Sequence, residues 1–303
     1  MLKNPKLIEG HYECRRFDET VPVFTDILGM EVIQQRSDTE WVMKHPNTGW
    51  SMVLHAAGAN AKDKPLMNHY GWRVTSRDEV DRAQEYLKKV KDEYRLPRVG
   101  KPSLLHIAYS FYFGEPGGNS LEIEYYEPEH AKASAVYGPH WQRPYAAEKF
   151  AGRGYVCQGL SHGTLECDEG EKESYRRFIG EVLGLELVPL PPELPVLYLK
   201  DSINPWYVVV VPQKIRRYLN ENNRFTLEID SSEAVQEVHE EFARISNDVR
   251  LTYLGGLTEE RGRSYFFLSD PAKNWWEITA GKGVVARSFD SIDSSTCAGT
   301  MKQ

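Results

Sequence analysis

Apolar and polar positions alternate over short runs along this chain, then switch to a helical spacing, and the switch recurs. From Asn68 the run NHYGWRVTSRDEV sets Tyr70, Trp72 and Val74 on one side of a strand before a Ser turn opens a helix. From Asn223 the run NRFTLEIDSSEAV does the same with Phe225, Leu227 and Ile229. The predicted helices carry apolar residues at Val80, Ala83, Leu87 and Val90, and at Val235, Val238, Phe242 and Ile245. Both stripes have the spacing of a helix lying on a core. Ser76 followed by Glu79 has the spacing of a capping box. The register between the copies (68 to 223, a shift of 155) holds to their ends, where FYFGEPGGNSLEIE from Phe111 lies over FFLSDPAKNWWEIT from Phe266.

A second pair of segments repeats as well. YECRRFDETVPVFTDILGMEVI from Tyr12 matches LECDEGEKESYRRFIGEVLGLELV from Leu165. Each predicts a strand, a short amphipathic helix stopped at Leu28-Gly29 or Leu183-Gly184, and a further strand. Glycine suits the left-handed residue that ends a helix. Strand-like runs follow, WVMKHP and WSMVLHAAG in one copy, PVLYLK and PWYVVVVPQ in the other. The chain therefore reads as an α+β protein of four β-α-β-β-β modules, at 5–60, 65–127, 160–212 and 222–281. Modules one and two are expected to form a domain over 1–127, joined by an ordered linker (128–159) to a domain of the same fold over 160–287, with a Ser- and Asp-rich tail at 288–303.

Composition narrows the function. At 303 residues, 41% hydrophobic and 27% charged, the sequence has the size and balance of a two-domain globular protein. A net charge of −7 gives no support to nucleic-acid binding. No apolar run reaches the ~20 residues needed to cross a bilayer, and MLKNPKLIEG lacks the apolar centre of a signal peptide, so a cytoplasmic location is expected. Cys14, Cys157, Cys167 and Cys297 show no CxxC spacing, which argues against a structural zinc site.

The histidines carry the candidate chemistry. His11 precedes the first helix of module one, His69 opens the first strand of module two, and Glu122 lies on that module's last strand. Two histidines and a carboxylate leave adjacent positions free on Fe(II). Taken alone, each residue is more often a hydrogen-bonded or solvated strand residue than a ligand.

The segment HIAYSFYFGEPGGNSLEIE, with His106, Phe111-Tyr112, Glu115-Pro116, Gly118 and Glu122 in order, resembles the signature of the type I extradiol dioxygenases. His106 stands about a residue closer to Tyr112 than in that family. The four modules are similar to the wider vicinal oxygen chelate superfamily over nearly the whole chain. The resemblance implies Fe(II), or Mn(II) on the same ligand set, held by His11, His69 and Glu122. It implies His55 as acid and base, and His106 and Tyr112 as residues that hold substrate. The implied reaction is meta cleavage of a catechol-type ring by O2, with self-association into a homo-oligomer as a further expectation.

The second half serves as an internal comparison. At the shared register His69 becomes Arg224, His106 becomes Arg261 and Tyr112 becomes Phe267, while His55 falls near Val211. His162 and Glu277 keep their types and read as structural remnants, with Arg224 free to pair with Glu277. Three other classes stay open: a metal-dependent isomerase or lyase of the glyoxalase type, a hydroquinone or aminophenol ring-cleaving dioxygenase, and a non-catalytic binding protein. The first commonly uses a fourth protein ligand. The last has no need of a facial ligand set.

Overall fold

The computed structural model describes residues 2–62, 64–65, 67–104, 107–127, 147–190, 194–201, 208–214, 217–260 and 262–281. His106, Arg261, the expected tail and most of the expected linker lie outside them. Modules one to three keep the predicted order, and module four adds one strand. Module one runs β1 (Lys6–Cys14), α1 (Phe17–Pro22), β2 (Glu31–Ser37), β3 (Glu40–Lys44) and β4 (Ser51–Ala56). Module two has β5 (His69–Arg73), α2 (Arg77–Lys89), β6 (Ser103–Leu104), β7 (Ala108–Gly114) and β8 (Ser120–Tyr126). Module three follows as β9 (Gly159–Asp168), α3 (Lys172–Arg177), β10 (Glu186–Val188), β11 (Leu197–Lys200) and β12 (Val208–Gln213). Module four closes the fold with β13 (Arg224–Glu228), α4 (Ser232–Ile245), β14 (Tyr253–Leu254), β15 (Thr258–Glu260), β16 (Arg263–Ser269) and β17 (Trp275–Gly281).

Local chemistry accounts for the boundaries. The Ser76 hydroxyl accepts from Glu79 N, and Ser231 caps α4 in the same way through Ala234 N. The Glu79 carboxylate reaches back to the Thr75 amide at 2.7 Å, one residue earlier than in a standard capping box. Both α1 and α3 widen into a π turn and end at glycines of positive φ, Gly29 (+72°) and Gly184 (+66°).

Strand pairing departs from the sequence expectation. One sheet runs β10-β11-β12-β9-β5-β8-β7-β6, joining module three to module two. The other runs β14-β16-β17-β13-β1-β4-β3-β2, joining module four to module one. The expected association of modules one and two in one sheet is therefore replaced by a crossed pairing. All four modules offer a similar first-strand edge, so alternation alone does not select the partner. Side-chain fit at the seams does. At the β5–β9 seam His162 lies opposite Gly71, where a Cβ would stand 2.4 Å from the imidazole Cε1. Asn68 and His69 also bond across that seam to Thr164.

The two sheets share one core. Trp50, Tyr70, Phe225 and Trp276 form a continuous run of ring contacts with centroids 6.0–6.1 Å apart at the steps Trp50–Tyr70, Tyr70–Phe225 and Phe225–Trp276. Gly10 and Gly163 lie directly against these rings. The Val80, Ala83 and Leu87 face of α2 packs on the same core, as its spacing predicts. The opposite face of each sheet is left to carry polar chemistry.

Crossed pairing predicts how the halves behave when separated. Residues 1–146 and 147–303 produced as two chains are expected to assemble one to one, because each central seam joins the two halves. Size-exclusion chromatography with light scattering reads the outcome; two folded fragments that stay monomeric when mixed would contradict the pairing.

Candidate metal site

Cross-strand register defines the polar face of the β5–β9 sheet. Gly71 pairs with both His162 and Glu122, and Glu122 with Tyr112, so these positions share a face with His69 two residues from Gly71. There His69 Nε2 lies 3.0 Å from His162 Nε2 and 3.1 Å from Glu122 Oε2. His162 Nε2 is 3.6 Å from the same oxygen. All three residues are buried, and among the described residues they are the one group of at least three His, Cys, Asp or Glu whose ligand atoms fall within 4.8 Å of one another.

Hydrogen bonding fixes what these atoms present. His69 Nδ1 lies 2.9 Å from the Met67 carbonyl, which can only accept, so this nitrogen carries the proton. His162 Nδ1 lies 3.0 Å from Ser161 Oγ, whose own proton goes to Glu124 Oε1 (2.5 Å) or the Gly71 carbonyl (3.0 Å). His162 Nδ1–H therefore donates to Ser161. Both Nε2 atoms then face each other and the Glu122 carboxylate. Such convergence calls for a cation. The spacing suits a facial arrangement, because neighbouring ligands at right angles with bonds of about 2.1 Å stand roughly 3 Å apart.

The fourth inward position is closed to coordination. Glu122 stands beside Gly71, two residues beyond His69. The matching place beside Thr164, two residues beyond His162, belongs to Val209. Tyr112 makes an edge contact with the His69 ring at 5.0 Å. Burial and the adjacent Glu122 carboxylate push its phenol far above the usual range, so it stays protonated. Tyr198 pairs in register with Val209, and Tyr126 with Ala108, which extends the face into the apolar cluster of Ile107, Ala108, Tyr126, Tyr198, Val209 and Val211.

Three expectations are corrected here. His11 is not beside His69 and Glu122; it sits on the other sheet, where β1 pairs with β13 and β4. His55 is there too, with its Nε2 2.8 Å from His11 Nδ1. His162, read as a remnant, belongs instead to the triad. The signal for it is in the sequence: LIEGHYEC (7–14) and LSHGTLEC (160–167) align without a gap on Leu, Gly, Glu and Cys, placing His162 over Glu9 and His11 over Thr164. Sheet register agrees, since Thr226 pairs with Glu9 where Gly71 pairs with His162.

The equivalent face of the other sheet thus holds Glu9, Arg224 and Glu277. Arg224 Nε donates to Glu277 Oε2 at 2.8 Å, and Arg263 also pairs with Glu277. Arg36 pairs with Glu9 and, at 3.1 Å, with Glu40. A guanidinium between carboxylates takes the place of the cation. Burial, then the nearby Arg224 charge, holds His11 well below the ordinary histidine range and His55 at about 3.

Residues 12–123 match the sequence model of the Glyoxalase/Bleomycin resistance protein/Dioxygenase superfamily. Among solved structures the chain is similar to a putative dioxygenase from Bacillus subtilis subsp. subtilis str. 168, with 11% identity, TM-score 0.63, and 95% of this chain and 89% of that one covered. It is also similar to glyoxalase I from Zea mays, with 13% identity, TM-score 0.62, and 94% and 95% covered. These likenesses establish the fold. No curated protein matches the chain. Among the described residues no helix is long and apolar enough to cross a membrane.

The neutral histidines give a pH dependence. Below pH 6.5 the unfolded chain takes up protons that folded His11 and His55 refuse, so stability falls as pH falls, from about 6.5 down through about 3 for His55. Each such histidine contributes up to about 1.4 kcal/mol per pH unit in that window. His55→Gln is expected to flatten the decline of Tm between pH 6.5 and 4.5; an unchanged slope would show that His55 is not held neutral.

Proposed function

We propose that the chain is a non-haem Fe(II) dioxygenase that opens an aromatic ring bearing vicinal hydroxyls, with His69, Glu122 and His162 as its metal ligands. Val209 at the fourth inward position carries the proposal. A set of two histidines and one carboxylate, with no fourth protein donor among the described residues, would leave positions for substrate and O2. Mn(II) fits the same donors.

Bound Fe(II) would supply the redox chemistry that lets O2 react with an electron-rich ring. The chain's own residues do the rest. Tyr112, protonated throughout the physiological range, hydrogen-bonds the Glu122 carboxylate beside His69 and would have to turn its hydroxyl from Glu122 to reach a substrate oxygen. Val209, Tyr198, Tyr126 and Ile107 belong to one buried apolar cluster, a surface of the kind that suits a planar ring. His55 and His11 take no part. The acid and base role that the family resemblance gives to His55 has no occupant on this face among the described residues.

That last point favours a second reading, in which the metal acts only as a Lewis acid in an isomerase or lyase. Anaerobic reconstitution with Fe(II), followed by a panel of catechols in an oxygen electrode, separates the two. Oxygen uptake with a yellow ring-opened product supports the dioxygenase. Turnover of a 2-oxoaldehyde–thiol adduct without oxygen uptake supports the other class. His69→Ala, Glu122→Ala and His162→Ala should each lose iron and turnover, while His11→Ala retains both. Stoichiometric iron in His162→Ala would remove that residue from the ligand set.

A further inference from the structure

Behind His162 lies a buried polar assembly that ligation alone does not explain. Ser161 Oγ bridges His162 Nδ1 at 3.0 Å and Glu124 Oε1 at 2.5 Å. Glu124 Oε1 also lies 3.5 Å from His162 Nδ1 and accepts from Arg73 NH2 at 3.2 Å. The Arg73 guanidinium in turn rests 4.7 Å from the centroid of the Tyr126 ring. Arg73 and Glu124 are both 0% exposed. Burying an ion pair gives little stability relative to apolar residues of similar size, so its presence points to a positional role.

The internal repeat supplies the comparison. In register, Ser161 corresponds to Ile8, Arg73 to Glu228 and Glu124 to Thr279. None of the three is retained on the face where Arg224 stands in for a cation. The assembly exists only where the triad does.

We propose that Glu124, Ser161 and Arg73 are positioning residues for His162, holding its ring with the proton on Nδ1 and the Nε2 lone pair directed at the metal. Ser161 is the contact, Glu124 draws the Nδ1 proton toward Ser161, and Arg73 keeps Glu124 in place. The inference rests on His162 being a ligand, yet it does not depend on which reaction the metal supports. His69 relies on a backbone carbonyl for the same task, so the two imidazoles are set by different means.

Two measurements test it. In the metal-free protein, side-chain 15N spectra should show His162 as the Nδ1–H tautomer, and Ser161→Ala and Glu124→Gln should shift it toward the Nε2–H form. With Fe(II) or Zn(II) as probe, both variants should bind roughly 10- to 100-fold more weakly than the parent, by the usual worth of such partners. Ser161→Thr, which keeps the hydroxyl, should restore both signals, whereas lost packing alone would not be rescued in that way. Because Glu124→Gln leaves Arg73 with a neutral partner, Ser161→Ala serves as the variant that keeps the ion pair. A parent tautomer of the Nε2–H kind, or equal metal affinity in Ser161→Ala, would overturn the proposal. A parent with the expected tautomer and no metal affinity would refute the metal reading and the metal-directing role with it, leaving Ser161 a tautomer lock only.

Discussion

The β5–β9 seam is the constraint on which the rest of the molecule depends. Antiparallel pairing there puts the backbone of Gly71 under the imidazole of His162, with no room for a side chain between them. Thr164 secures the same seam by accepting from the His69 amide at 2.8 Å. One contact zone therefore sets the order of strands in a sheet and the 3.0 Å approach of two histidines. The site does not sit on a finished scaffold; the joint between modules two and three makes it.

Two faces with the same backbone plan have reached different solutions to one electrostatic problem. Each brings a carboxylate on the last strand (Glu122 or Glu277) toward the centre of the sheet. An inward buried carboxylate needs a positive partner. On one face Arg224 provides it, reinforced by Arg263, and Glu9 is matched by Arg36. On the other, two imidazoles stand where the guanidinium would, with His69 Nε2 3.1 Å from Glu122 Oε2. The first face is closed and self-neutralised. The second would be completed by a bound cation.

Much of this was legible in the sequence, and the failures have physical causes. The modules, the Ser caps and the terminal glycines follow from periodicity and local hydrogen bonding, which act over a few residues, and the Arg224–Glu277 pair follows from the register of the repeat. His69 and Glu122 were found because they sit in one module, on adjacent strands. Which module completes the site depends on steric fit at Gly71 and Gly163, and hydrophobic alternation carries no information about that. The exchange of His11 for His162 has a second source, a two-residue slip in aligning the first strands. Such a slip preserves the face of a strand, so it leaves every alternation argument intact.

Crossed pairing also changes what a bound cation would do. His69 and Glu122 come from the first half of the chain and His162 from the second. A cation held by all three would join the halves, and its binding free energy would add to the stability of the seam in proportion to the logarithm of its concentration. On the opposite face Arg224 pairs with Glu277 of its own module, and the halves are joined at the β1–β13 seam by strand pairing and by contacts such as His11 Nε2 to Thr226 Oγ1 at 2.9 Å. The molecule thus has one seam joined by the chain alone and a second that a bound cation would reinforce. That asymmetry explains how the β1–β13 sheet can hold the architecture together while the β5–β9 sheet keeps its inner positions open for chemistry.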